Sequence, residues 1–145
     1  MAPTPDAPAR LRAVVGKLSR RLDATARGSG LTSSQLSALG VVARSGPMRI
    51  SELAVVEHVN PTMLSRIVGA LVDEGLLRRT PDPDDRRAGM VEVTAAGRRT
   101  HDRLRAERGK VLADGLAELS PADRAVVEAA LPALEALVEA LRVAR

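Results

Sequence analysis

Four side chains near the start of one predicted helix have the chemistry needed to contact duplex DNA. The apolar positions of this helix would face a core, which leaves four others at its surface: Thr62, Met63, Ser65 and Arg66. A guanidinium can bond to guanine or to a phosphate, hydroxyls donate to phosphates or bases, and a methionine side chain can contact the thymine methyl group. Asn60 and Pro61 suit the N-cap and the first helical position, and a helix N-terminus itself favours a phosphate. These residues predict a surface that contacts base edges.

A second candidate group consists of Asp85, Arg86 and Arg87, in a turn-rich stretch between two predicted strands. Arginines on a protruding hairpin can reach the narrow minor groove, where negative potential is concentrated. The neighbouring carboxylates, Asp82 and Asp84 included, can fix the direction of a guanidinium and the shape of the loop. The alternative is a solvated turn whose charges neutralise one another.

The composition excludes one class of nucleic-acid binding and leaves another open. The chain has no Phe, Trp or Tyr, although 45% of its residues are apolar, so its core must be aliphatic. Single strands are usually held by bases stacked on aromatic rings, whereas binding in the grooves of a duplex needs no such rings. The net charge of +4 suits a polyanionic partner, but an arginine-rich solvated surface would give the same value.

The residues of an enzyme active site are not apparent. The chain contains two His and no Cys, which removes disulfides, thiolate metal sites and thiol redox sensing. The carboxylates at Asp82, Asp84 and Asp85 lack the regular ligand spacing and the glutamate of a calcium loop. We therefore expect no enzymatic activity, no catalytic residue, no metal and no cofactor.

The elements that precede the candidate residues follow from apolar periodicity and capping signals. A tail over residues 1–8 leads into an amphipathic helix within residues 9–30. Thr32 and Gln35 have the spacing of a capping box and predict the start of a second helix, which runs to about Arg44.

A helix-turn-helix is predicted next. Ser51 suits the N-cap of a short helix that ends near Glu57, and a helix from Pro61 to about Glu74 follows after a three-residue turn. Gly75 should terminate it. In such motifs the first turns of the second helix meet base edges in the major groove, although many helical proteins contain the motif for structural reasons alone.

A hairpin follows immediately and favours the DNA-binding interpretation. Residues 76–80 and 90–94 are predicted strands, and residues 81–89 form a long loop between them, which makes a wing. Thr94 can then cap a helix that runs to about Leu119. A last helix starts near Ser120, and Pro132 should kink or split it.

These motifs together resemble the MarR family of winged helix-turn-helix transcriptional regulators. The resemblance runs in family order from about residue 10 to residue 143. Ser51-Glu52-Leu53-Ala54 resembles the first helix of the helix-turn-helix, and Thr62-Met63-Leu64-Ser65-Arg66, with Leu71 and Gly75-Leu76-Leu77, resembles the recognition helix and its exit. The wing signature is Asp85-x-Arg87 followed after five residues by Val93-Thr94, and Thr94-Ala95-Ala96-Gly97 resembles the step into the next helix. Val93 stands where the family pattern has Leu.

The resemblance implies a mainly α fold with a small antiparallel β wing, in which a winged helix-turn-helix domain over residues 31–94 is joined to N- and C-terminal dimerisation helices. Residues 9–30 and 95–145 would interleave in a homodimer, and their broad apolar stripes agree with this. Two-fold symmetry would place the recognition helices ~10 base pairs apart on a pseudo-palindromic site. A monomer that folds its two ends together is the alternative.

The resemblance also implies a small anionic phenolic effector between the dimer frame and the winged domain. The candidate residues for that pocket are Arg20, Leu22, Leu36, Leu39, His101 and Arg105. Because the aromatic residues usual in such a pocket are missing, we expect an aliphatic ligand or none, and a histidine on a charged helix such as His101 is more often a solvated residue than part of a pocket.

We therefore expect a sequence-specific, double-stranded DNA-binding regulator, a repressor by family habit. The alternative is a non-specific architectural DNA-binding protein. The N-terminus lacks the apolar run of a signal peptide, and no stretch approaches the roughly 18 apolar residues of a membrane span, so a cytoplasmic location is expected. The operator, the target genes and the effector are not encoded in any recognisable pattern.

Overall fold

A computed structural model describes residues 6–85 and 87–143 of the chain. Its helices and strands over these residues are, in order, α1 (Ala7–Ala26), α2 (Ser33–Ser45), β1 (Met48–Arg49), α3 (Ile50–Glu57), α4 (Pro61–Asp73), β2 (Leu77–Pro81), β3 (Gly89–Val93), α5 (Ala95–Ala117) and α6 (Pro121–Val143). A mainly helical chain with one small antiparallel sheet confirms the predicted fold class.

The chain divides into two compact units, residues 1–108 and residues 109–145. In the first unit, α2, α3, α4 and the sheet enclose a core whose largest fully buried side chains are all Leu or Val. α1 contributes only Ala26 to it. The core is aliphatic, as the absence of aromatic residues required, and through it α4 packs against the sheet.

Local capping signals fix most helix ends where the sequence predicted them. The Thr32 hydroxyl accepts a hydrogen bond from the Gln35 amide at 3.2 Å, and the Gln35 side chain accepts one from the Thr32 amide at 2.7 Å. After α1, Gly30 adopts a positive φ of 75°, and after α4, Gly75 adopts a φ of 72°; both conformations suit glycine.

The start of α3 differs from the expectation. Ser51 is not the N-cap; the N-cap is Arg49, and its backbone amide donates to the Glu52 carboxylate at 2.9 Å. Arg49 is extended because it belongs to β1, which pairs with β3 in antiparallel register, Arg49 opposite Met90. The sheet therefore has three strands in the order β1-β3-β2 rather than the two that were predicted, because a two-residue strand carries no readable periodicity.

The terminal helices also differ from the predicted boundaries. α1 begins at Ala7, so the last two residues of the expected tail, Ala7 and Pro8, are helical. α6 is not split at Pro132 but runs through it. A proline removes one backbone hydrogen bond, and the Ala, Leu and Glu residues around it are good helix formers that maintain the helix on both sides.

The start of α5 is fastened to the end of α4. The Thr94 hydroxyl donates to the carbonyl of Gly75 at 2.6 Å and accepts from the amide of Gly97 at 3.0 Å. A Cβ atom on Gly97 would lie 2.0 Å from the carbonyl oxygen of Leu76. This position therefore accepts no side chain without displacement of the backbone.

Over the described residues, none of the helices combines the length and the apolar character that crossing a bilayer requires.

Candidate functional site

The exposed face of α4 is defined by the residues that its other face buries. Leu64, Val68 and Leu71 are fully buried and recur at helical spacing. The opposite face presents the four predicted side chains to solvent: Thr62, Met63, Ser65 and Arg66. Met63 is 51% exposed. A hydroxyl, a thioether and a guanidinium thus lie together within two turns at the start of one helix.

The N-terminus of α4 has the cap that the sequence predicted. The Asn60 side-chain oxygen accepts a hydrogen bond from the Met63 amide at 2.8 Å, and Pro61 is the first helical residue. Both residues are exposed. The positive end of the helix dipole therefore faces solvent beside the four side chains, and this arrangement suits an anionic partner.

A left-handed residue makes the turn between α3 and α4. His58 has φ 54° and ψ 37°, and the Val59 amide bonds back to the carbonyl of Ala54 at 3.2 Å. His is one of the few non-glycine residues enriched in this conformation, but the sequence interpretation did not use that signal. Next to the turn, an open groove of about 620 Å³ runs past Ile50 and Val55. Val55 is 73% exposed.

An ion pair at the base of the wing was missed from the sequence. Arg49 Nε lies 2.5 Å from Asp82 Oδ2, and the Asp82 side chain is only 3% exposed. The other oxygen, Oδ1, accepts a hydrogen bond from the Asp84 amide at 2.9 Å. Because 33 residues separate the partners, no local pattern in the sequence could have revealed the pair.

The environment of Asp82 keeps its carboxylate charged. The hydrogen bond from Arg49, and then the one from the Asp84 amide, lower the pKa of Asp82 below its ordinary value. A group with a lowered folded-state pKa stabilises the fold fully at pH values above the unfolded-state pKa, about 3.9. The contribution is lost only as the pH falls through the lower folded-state pKa, so the ion pair is intact at neutral pH.

Asp85 shapes the tip of the wing. Its carboxylate accepts a hydrogen bond from the backbone amide of Arg87 at 2.9 Å, and its carbonyl accepts one from the Ala88 amide at 3.0 Å. Asp85 thus contributes to the shape of the loop, one of the two roles expected of these carboxylates, through the backbone of Arg87 rather than through its guanidinium. Arg87 is exposed. Arg86, the third predicted wing residue, lies outside the described residues.

Among the described residues, Arg66 and Arg87 differ from Arg78 in having no counter-ion. Arg78 on β2 is paired with Glu92 on β3 at 2.8 Å, which raises the pKa of Arg78. Among the residues that the structure describes, no ion pair involves the side chain of Arg66 or of Arg87. These two guanidinium groups are available to an external anion.

The six residues proposed for an effector pocket lie in different environments. Leu36 and Leu39 are buried in the core, Leu22 is half-buried, and Arg20 and Arg105 are exposed. The side chain of His101 is 13% exposed, with Nδ1 3.2 Å from an oxygen of Asp102. It lies against α2, 3.6 Å from where a Cβ on Gly40 would be. Packing in the core therefore accounts for Leu36 and Leu39 without a bound ligand.

Helices α1 and α6 each expose four or more large apolar side chains. On α1 they are Leu11, Val14, Val15 and Leu18. On α6 they are Val126, Val127, Leu131, Leu134, Leu137, Val138 and Leu141. On α6, the series from Val127 to Leu141 contains steps of four and three residues, which place one continuous stripe along the helix.

Comparison with known proteins gives consistent matches. The family model described as "MarR family" matches residues 31–88. An uncharacterized HTH-type transcriptional regulator of Mycobacterium bovis is 35% identical over 129 residues, which cover 89% of this chain and 90% of that protein.

Among solved structures, the apo form of wild-type MarR from E. coli superposes with a TM-score of 0.80 at 23% identity, covering 92% of this chain and 97% of the other. A mutant of the Staphylococcus aureus regulator MepR, bound to an oligodeoxyribonucleotide, superposes with a TM-score of 0.69 at 15% identity, covering 90% and 96%.

Proposed function

Since this chain belongs to the MarR family of DNA-binding transcriptional regulators, we propose that it is a homodimeric repressor that recognises a pseudo-palindromic duplex in a sequence-specific manner. The observation that carries the proposal is the exposed face of α4. Thr62, Met63, Ser65 and Arg66 supply a hydroxyl pair, a methyl-contacting thioether and a forked donor, which together can distinguish base edges in a major groove.

The wing supplies the second contact of the proposal. Arg87 is an exposed cation without a counter-ion on a hairpin whose backbone is ordered by Asp85. Insertion of an arginine into the minor groove next to the major groove that α4 occupies would extend the interface across one strand. The MepR mutant, which has a similar fold, is bound to an oligodeoxyribonucleotide, and this supports a nucleic-acid partner for the proposed surface.

Selection from a random-sequence duplex library tests specificity against the architectural alternative. We expect repeated selection to enrich a two-fold symmetric sequence, and the enriched duplex to bind at least ~10³-fold more tightly than a scrambled duplex at the same salt concentration. A non-specific architectural protein would give no enrichment and equal affinities. That result would contradict the proposal.

The exposed stripes on α1 and α6 support the proposed homodimer. Seven large apolar side chains along α6 are solvent-exposed in the single chain. Contiguous apolar surface of that extent usually marks an interface. A homodimer in which the stripes of one copy pack on those of the other would remove this apolar surface from water. It would also present two copies of α4 to one duplex.

Charge placed in the α6 stripe should dissociate the dimer. We expect the double variant Leu131→Glu/Leu134→Glu to elute as a monomer in light-scattering chromatography at micromolar concentrations, because each buried Leu contributes roughly 1.5–3 kcal/mol and a buried carboxylate adds a further penalty. Val55→Glu/Val56→Glu is the matched control, since both valines are also exposed but lie on α3. A monomeric wild type, or a dimeric double variant, would contradict this interface.

Control by a small-molecule effector is proposed for the region around His101, with Arg20 and Arg105 as the exposed cations and Leu22, Leu36 and Leu39 as the apolar part. The supporting observation is the partly buried position of His101 against Gly40. The ligand class that suits apolar side chains combined with guanidinium groups is an aliphatic carboxylate. Release of the selected duplex on addition of such ligands is the corresponding test.

A further inference from the structure

The wing loop is attached to the helix-turn-helix by one buried carboxylate. Asp82 immediately follows β2, and its side chain accepts hydrogen bonds from two directions: from Arg49 Nε at 2.5 Å and from the Asp84 amide at 2.9 Å. Its own amide donates to the carbonyl of Ala88 at 3.3 Å, which closes the base of the loop. Both ends of the loop are therefore held at one residue.

The other partner connects this residue to the recognition unit. Arg49 lies in β1, and its amide donates a hydrogen bond to the Glu52 carboxylate in the first turn of α3. α3 precedes α4 in the chain and packs against it. At the same base, a Cβ on Gly89 would lie 3.5 Å from Ile50, the first residue of α3. Contacts thus run from α3 through Arg49 and Asp82 to the loop that carries Arg87.

We propose that Asp82, held by Arg49, is a positioning residue for DNA binding, which sets the direction of the wing so that Arg87 reaches the minor groove while α4 occupies the neighbouring major groove. The inference rests on the proposed function. Asp82 itself is too buried to touch DNA. Its effect is to order the loop before binding, so that the ordering entropy is not lost on association.

Simple electrostatics predicts the opposite result, which makes the sign of the effect decisive. Removal of a carboxylate from a surface that meets phosphates should tighten DNA binding. If Asp82 positions the wing, its neutralisation should instead weaken binding. The binding free energy lost when Arg87 is misdirected should exceed the free energy gained when the repulsion between Asp82 and the phosphates is removed.

The first test compares two neutralised carboxylates of the same loop. We expect Asp82→Asn to weaken binding of the selected duplex roughly tenfold at fixed salt, the scale of losing one directed charge contact. Asp84→Asn makes the same charge change at an exposed side chain and should leave affinity unchanged or slightly improved. Equal or tighter binding by Asp82→Asn would overturn the inference.

The second test measures coupling, which a merely structural effect would not produce selectively. Arg87→Ala should cost several-fold less in the Asp82→Asn background than in the wild type, whereas Arg66→Ala should cost the same in both. Additive effects of Asp82→Asn and Arg87→Ala would overturn the inference. Circular dichroism checks that the variants fold.

If Asp82→Asn fails to fold, Arg49→Lys tests the pair from the other side, because it preserves the charge and removes the Nε donor. It should show the same loss and the same selective coupling to Arg87, and wild-type affinity in Arg49→Lys would overturn the inference. A wild type that enriches no duplex would refute the proposed function. A specific wild type with an unaffected Asp82→Asn would refute only the positioning role.

Discussion

Replacing Gly97 with alanine is expected to destabilise the fold by about 3 kcal/mol or more, because a methyl group would have to displace a backbone carbonyl rather than a flexible side chain. The new Cβ would lie 2.0 Å from the Leu76 oxygen and 3.0 Å from a methyl of Val93. The displacement would also strain the hydrogen bonds that Thr94 makes to Gly75 and to Gly97 itself. A thermal melt followed by circular dichroism should show a midpoint lowered by roughly 10 °C.

Gly109→Ala is the matched control in the same helix. A Cβ at Gly109 meets nothing within 4 Å, so alanine should be neutral or should stabilise the helix by about 0.5–1 kcal/mol. The melts must be compared at one protein concentration, because dimerisation would make the midpoint depend on it. Equal midpoints for Gly97→Ala and the wild type would show that α5 does not approach Leu76 as closely as described.

The largest functional effect is expected from Arg66→Ala. We expect it to weaken binding of the selected duplex by about 1–3 kcal/mol and to relax the preference at one base-pair position in each half-site, because a forked donor that distinguishes guanine would be lost. Mobility-shift titrations against the selected duplex and its single-position variants measure both quantities. Arg87→Ala should also weaken binding, through loss of the minor-groove contact.

Arg12→Ala provides the matched control for both arginines. Arg12 is an exposed cation on α1, which is neither α4 nor part of the wing. Its removal makes the same change in net charge. It should weaken binding only by its small share of general electrostatic attraction. Wild-type affinity in both Arg66→Ala and Arg87→Ala would remove the assigned surface as the site of DNA contact.

The two arginines also separate the proposed function from its alternative. An architectural protein would lose affinity for every duplex equally when either cation is removed. A sequence-specific regulator should lose more affinity for the selected duplex than for a scrambled one when Arg66 is removed, because only the specific complex uses its base contact.

Features governed by neighbours in the chain were predictable. The capping box of Thr32 and Gln35, the Asn60 cap and the stop at Gly75 each depend on hydrogen bonds or dihedral angles within about four residues, and each lies where the sequence placed it. The exposed face of α4 follows in the same way, since burial of Leu64, Val68 and Leu71 fixes which side chains point outward.

Features that depend on distant parts of the chain were not predictable. Met48 and Arg49 form β1 because they pair with the edge of β3. That pairing makes Arg49, rather than Ser51, the N-cap of α3. The role of Asp82 depends on a partner 33 residues earlier, and the local carboxylate at Asp85 binds a backbone amide rather than the guanidinium of Arg87.

The sequence by itself thus determined the helices, most of their caps and the exposed face of α4, because short-range hydrogen bonds and the 3.6-residue period depend on residues close together in the chain. Only the tertiary structure decided how the wing is fastened to α3 and why Gly97 accepts no side chain. Both depend on segments that meet after the core closes. The close approach of the Leu76 backbone selects glycine at position 97, and the side chain of Arg49 meets the carboxylate of Asp82 at the base of the wing.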